Sequence, residues 1–148
     1  MRVVVQVCEN ASCEVDNKIV SSIDKGFMLL VGLTHTDTLN EVKKLAKKVQ
    51  GLRVFPDELG KMNLSLNQVG GKILSISQFT LYADSKSGYR PSFVNAMKGE
   101  EAINLYNAFN SELRNYNLEV ECGIFGADMK IKFTNLGPTT IILDSNDL

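Results

Sequence analysis

Hydrophobic side chains in this sequence change their period twice, and that alternation limits the folds open to it. Residues 2–8 form an apolar, largely β-branched run, 11–15 and 18–23 flank an Asp16-Asn17 turn signal, and Gly26 opens the apolar run 27–32. Runs of this kind predict strands, the first two segments around the turn forming a hairpin. Then Leu39, Val42, Leu45, Ala46 and Val49 recur at helical spacing, with Lys43, Lys44, Lys47 and Lys48 mainly on the other face. Thr38, followed three positions later by Glu41, predicts a capping box, and Gly51 lies near the helix end. Turns at 56–60 and Gly70-Gly71 precede a long apolar strand expected over 72–83 and a polar loop over 84–92. A second helix is expected over 99–115, with Ala102, Leu105, Tyr106, Phe109 and Leu113 as its buried stripe. The strand period then returns: Met129, Ile131 and Phe133 alternate with Lys130 and Lys132, and 139–143 is expected as the last strand. Strands, helix and strands, run through twice without a sequence repeat, predict an α/β fold. Its sheet is expected to be mostly antiparallel and barrel-like, with two main helices. The 148 residues suit one domain, 1–148.

Charge narrows the function. The formal net charge is −1, which excludes broad nonspecific binding of nucleic acid, since that mode neutralises many phosphates. Local basic stretches remain: Lys43, Lys44, Lys47, Lys48 and Arg53, read as a solvated helix face, and Lys86, Arg90 and Lys98. Three cysteines, Cys8, Cys13 and Cys122, fit neither a C-x-x-C nor a zinc-ligand spacing. They read as small core or strand residues of a protein in a reducing compartment. No apolar run reaches the roughly 18 residues of a membrane span, and the start reads as a strand and not as a signal peptide. The cytosol is the expected location.

The chemistry available is sparse. His35, the only histidine, lies between a strand and a helix and reads as a loop residue. A Ser-His-Asp or Cys-His triad is not indicated, nor is a phosphate-binding loop or metal motif. Two segments stand out. Ser77-Gln78-Phe79-Thr80-Leu81 places hydroxyl and amide groups in an apolar run, and Asn135-Leu136-Gly137-Pro138-Thr139-Thr140 breaks one strand from the next. Taken singly, the first is a strand that tolerates threonine and the second a turn with a proline.

Taken together they resemble the S-Q-x-T-L and N-x-G-P-x-T motifs of the D-aminoacyl-tRNA deacylase family. Gly60-Lys61-Met62-Asn63-Leu64, the stretch 78–84, Arg90-Pro91-Ser92-Phe93 and Gly126-Ala127-Asp128-Met129 extend the resemblance over essentially the whole chain. It implies an enzyme that hydrolyses the ester between a D-amino acid, and glycine too, and the 3′-terminal adenosine of tRNA. It implies a homodimer with active sites at the subunit interface, no cofactor or metal, and neither DNA nor a membrane as partner. Gly137-Pro138 would be cis and reach into the other subunit's pocket. Its carbonyls would hold the substrate's amino group and leave no room for an L side chain, a steric exclusion that tolerates many D side chains.

Thr80 and Gln78 are the implied catalytic residues, with two routes open. Thr80 could attack the ester, although no evident base activates it. In the route favoured by so base-poor a sequence, the RNA's own 2′-OH helps activate water, and backbone N–H groups around Phe79 and Thr80 hold the oxyanion. Ser77 and Gln78 would then orient the substrate or hold that backbone. Phe125 and Met129 are implied to form the pocket for the terminal adenine. One departure from the family matters: Gln6-Val7-Cys8 stands where Q-R-V is usual, so the arginine expected to brace the Gly-Pro segment is missing. Leu136 is a smaller departure, at a position that is commonly polar. Three rivals follow: a deacylase of relaxed chirality, a non-catalytic RNA-end-binding protein, and a threonine-nucleophile hydrolase of small esters.

Overall fold

The changes of period become seven strands and two helices. The computed structural model describes residues 1–148. In chain order they form β1 (Arg2–Val15), β2 (Lys18–Gly32), α1 (Leu39–Gly51), β3 (Arg53–Pro56) and β4 (Met62–Ser65). Then come β5 (Lys72–Ser77), α2 (Gly99–Asn115), β6 (Val120–Cys122) and β7 (Lys130–Asp144), with short 3-10 turns at Phe79–Tyr82 and Ser145–Asp147. Five strands make one sheet in the order β6-β5-β2-β1-β7, while β3 and β4 pair separately. The long strands pair antiparallel, β1 with β2 and with β7. The short ones pair parallel, β5 with β2 and with β6. The expected α/β class with two main helices is the fold observed.

Alternation along the strands sends side chains to two cores. Val3, Val5 and Val7 of β1 with Phe27, Leu29 and Val31 of β2 join Val42, Leu45, Ala46 and Val49 of α1 and Ala102, Tyr106, Phe109 and Leu113 of α2 in the larger one. Each fully buried valine or leucine there contributes about 1.5–3 kcal/mol. The α1 box forms as expected: Thr38 Oγ1 accepts from Asn40 N–H at 3.1 Å, and Glu41 Oε2 accepts from Thr38 N–H at 2.8 Å. Asn10 and Gly26, at φ 51° and 141°, depart from strand backbone within the long hairpin. Beyond them Ala11, Cys13 and Ile23 join a smaller core with Cys8, Met28, Leu74 and Ile76. Burial there pushes the Cys8 thiol up to about 11, so it behaves as a small apolar side chain.

The structure corrects two sequence expectations. The strand expected over 72–83 ends at Ser77; Gln78 bends away (φ −145°, ψ 86°) and a 3-10 turn follows. The cause is the end of its neighbour. Gln78 N–H makes a last 2.7 Å bond to Val31 O, and β2 stops one residue later. The turn folds over Gly32 so closely that a Cβ there would meet Leu81 Cβ at 2.9 Å and Gln78 O at 3.1 Å. The second correction is that segments expected as separate strands run together: 2–8 with 11–15 as β1, 18–23 with 27–32 as β2, and those around 129–133 and over 139–143 as β7. The register of β7 against β1 jumps from Cys8↔Asn135 to Gln6↔Thr140, so the residues between them bulge from the sheet edge.

Candidate active site

A cavity of about 500 Å³ opens where β2 and β5 end. Val31, Leu33, Ile76, Met97, Ala102 and Ile131 make it apolar, and Ser77, Gln78 and Phe79 bring polar backbone and side chains to it. Of the residues singled out in the sequence, Ser77, Gln78, Phe79, Phe125 and Met129 all line this space. They come from segments about fifty residues apart, which parallel pairing of β5 with β6 brings together. Gly123 N–H, bonded to Ser75 O at 3.1 Å, anchors the loop that carries Phe125 and Met129.

The 3-10 turn determines what the strand end offers. Its first internal donors are Leu81 N–H to Gln78 O at 3.3 Å and Ala83 N–H to Thr80 O at 3.0 Å. The N–H groups of Phe79 and Thr80 precede those bonds and are not consumed by the turn. Gln78 Nε2 donates to Thr80 Oγ1, and no acidic, basic or imidazole group hydrogen-bonds that hydroxyl. Thr80 is exposed beside the cavity and not in its lining. The Phe79 ring, 46% exposed, packs edge-on against Phe93 with centroids 5.1 Å apart. Behind the site, Tyr106 OH donates to Ser75 O at 2.8 Å, and its ring lies 5.7 Å from that of Phe125. Burial pushes the Tyr106 phenol well above its usual range, so it remains a donor.

Gly137 and Pro138 stand apart from this cavity. Their peptide bond is cis, and both residues are exposed on the bulge of edge strand β7. Gly137 has φ 112°, and a Cβ there would lie 2.5 Å from Thr139 Oγ1, so a side chain would distort the segment. Asn135 holds the base of the bulge: its Nδ2 donates to Val7 O and to Thr139 O, each at 3.0 Å. Gln6 Nε2 donates to Asn135 Oδ1 at 3.3 Å, and Thr140 Oγ1 donates to the same atom at 3.2 Å. Asn135, Gln6 and Thr140 thus hold the base of the bulge with no arginine at position 7. Val7 takes part through its carbonyl while its side chain is buried in the larger core.

His35 is exposed and its Nε2 lies 2.8 Å from Val94 O, away from the cavity lining. Sequence reasoning missed Met97, Gly99, Ala102 and Ile131 as lining residues. It noted Lys98 and Asp128 only within a basic stretch and a family-like motif. Met97 reaches the site because its N–H bonds Leu33 O at 2.9 Å, closing the loop after Ser92 onto the end of β2. No helix is long and apolar enough to cross a membrane.

Known proteins resemble this chain along nearly its whole length. The profile of a family described as D-Tyr-tRNA(Tyr) deacylase matches residues 4–144. A D-aminoacyl-tRNA deacylase of Listeria innocua is 53% identical over 148 residues, covering 100% of this chain and 99% of that one. One from Thermus aquaticus is 50% identical over 147 residues, covering 99% and 97%. Among solved structures, a c-Myc DNA unwinding element binding protein superposes with a TM-score of 0.91 at 38% identity, covering 97% of this chain and 98% of that chain. A probable eukaryotic D-amino acid tRNA deacylase shares the fold, with a TM-score of 0.81 at 17% identity and coverage of 96% and 97%.

Proposed function

Because this chain belongs to the D-Tyr-tRNA(Tyr) deacylase family, we propose that its cavity frees tRNA from D-amino acids, and from glycine, and refuses L-amino acids at Gly137-Pro138. Hydrolysis of the D-aminoacyl-tRNA ester is the activity named for relatives at 53% and 50% identity over almost the full chain. One observation carries the mechanism: the polar strand end beside an apolar cavity has free N–H donors but no base. Thr80 Oγ1 accepts from Gln78 Nε2, and no carboxylate, amine or imidazole hydrogen-bonds it to take its proton.

The reaction is therefore assisted by the substrate. Water attacks the ester carbonyl, and the N–H groups of Phe79 and Thr80 hold the oxyanion. The 2′-OH of the terminal ribose accepts the water's proton while giving its own to the departing 3′ oxygen. Free tRNA and the amino acid result. Gln78 keeps the Thr80 backbone in position, and Phe125 and Met129 take the adenine. Ser77 orients the substrate at the strand end.

Selection falls to a second subunit. Gly137 and Pro138 project from the sheet edge and do not line their own chain's cavity, which fits a homodimer in which each bulge enters the partner's site. The Thr140 hydroxyl gives its one proton to Asn135 Oδ1 at 3.2 Å, so Pro138 O, 3.3 Å from that oxygen, is open to the substrate ammonium. Comparing D-tyrosyl-, glycyl- and L-alanyl-tRNA tests the reading. The first two should be deacylated and the third should not. Equal turnover of L-alanyl-tRNA would refute strict selection, and binding of all three without deacylation would make this a non-catalytic RNA-end-binding protein.

A further inference from the structure

We infer that Lys98 forms a phosphate subsite at the rim of the cavity, taking the phosphodiester attached to O5′ of the terminal adenosine. The inference rests on the proposed action at an RNA 3′ end and assigns a residue to the first charge beyond the nucleoside. Of the sixteen residues lining the cavity, Lys98 is the only cation. The apolar wall containing Phe125 and Met129 suits a base, and the strand end at 77–80 suits the ester. In an adenosine so placed, O5′ leaves the ribose away from the base, toward the mouth of the cavity. A phosphate there needs a cation, which the Lys98 ammonium supplies as a point charge on a flexible stem.

The position of Lys98 is defined at both ends. Its backbone follows Met97, pinned to Leu33 O at 2.9 Å, and precedes α2 as that helix's uncapped N-terminal residue. Its Nζ lies 5.6 Å from the centroid of the Phe79 ring, inside the range at which a cation is held over an aromatic face. The ammonium is thus kept beside the residue whose N–H faces the ester. It is also free: none of the chain's four ion pairs includes Lys98. The carboxylates around it, Glu100 and Glu101 in the first turn of α2 and Asp128 in the cavity lining, repel RNA. They leave Lys98 as the one favourable place for a phosphate at this mouth.

The test is calorimetric binding of adenosine, adenosine 5′-methylphosphate (a diester mimic) and adenosine 5′-monophosphate. The wild type should bind the methylphosphate about tenfold more tightly than adenosine, as a charge-assisted contact gives. In Lys98→Gln that ratio should fall to about one, whereas Lys98→Arg should keep most of it. Lys18→Gln, at the far end of β2 and roughly 40 Å away by strand rise, should keep all of it. Thermal melting reports whether each variant folds, and a Lys98→Gln chain that does not fold leaves the wild-type ratio and Lys98→Arg to decide. A ratio near one in the wild type, or an unchanged ratio in a folded Lys98→Gln, overturns the subsite. Tighter binding of the monoester than of the diester by tenfold or more also overturns it, since the site would then serve a free nucleotide. Phosphate-dependent binding without any deacylation would sustain the subsite and sink only the deacylase reading.

Discussion

The strand end at 77–80 and the bulge at 137–138 differ in how much of their surroundings one chain supplies. The first is finished at home. Its backbone is fixed by Val31 O, its turn is seated on Gly32, and the loops carrying Phe125 and Met97 are anchored to Ser75 and Leu33. The second is held from below by Asn135, Gln6 and Thr140 and is exposed on its outer side. It is a rigid exposed element on the edge of a sheet, where a plain unpaired strand would be a liability. A part that is braced but unused within its own chain is suited to completing something outside it. The chemistry is thus local to one subunit in our account, and the selection is delivered from another.

Each variant below presses on one side of that contrast. The largest effect is expected from the substrate: tRNA ending in 2′-deoxyadenosine should be deacylated about 10³-fold more slowly, the size of a lost proton relay. Normal single-turnover rates would end the RNA-assisted route. Next, Gly137→Val should lower D-tyrosyl-tRNA deacylation by about 10²-fold, because a displaced carbonyl misplaces the substrate, and the strain of a side chain at this positive φ should cost about 1–3 kcal/mol of stability. Thr80→Ala should cost no more than about tenfold, since the hydroxyl helps position the turn and is no nucleophile; a covalent acyl-enzyme, or a loss of 10³ or more, would restore the nucleophile route. Asn135→Ala should destabilise the chain by about 1–3 kcal/mol by leaving carbonyl groups unpaired. It should also narrow the D-to-L rate ratio.

The smallest effect concerns the tie between β1 and the turn. Arg2 donates to Asp144 at 2.9 Å and to Leu81 O at 2.7 Å, and its guanidinium lies over the Tyr82 ring. Burial raises the Asp144 carboxyl, but the Asn146 N–H and Arg2 outweigh it and hold it below the usual carboxylate range. Its stabilisation is therefore present above that range and fades as pH falls through it. Asp144→Asn should cost under about 1 kcal/mol at pH 7, and the gap in denaturation midpoints should close in acid.

Much of this was legible in the sequence because it is local. Thr38 and Glu41 specify a cap, the helix stripes name their buried faces, and the two polar motifs interrupt apolar runs. What was hidden depends on distant neighbours. Nothing in residues 72–83 says that β2 will end at Gly32, so the strand looked longer than it is. Sequence shows side chains, so it could not show that the Val7 carbonyl accepts from Asn135 beneath the bulge. Lys98 read only as part of a basic stretch and Met97 carried no reading, until the bond to Leu33 O placed them on the cavity.

Mixed dimers bear most directly on the division of labour. Phe79→Pro removes an N–H that the turn does not use, at a position where proline is tolerated, and should disable the strand end. Gly137→Val should disable the bulge. If each bulge serves the partner's cavity, a mixed dimer has one wholly intact site, so random exchange should recover about a quarter of wild-type D-tyrosyl-tRNA deacylation. If both segments serve the same chain, every site in every mixed dimer is damaged. Activity would then stay at the level of the separate variants, contradicting the account.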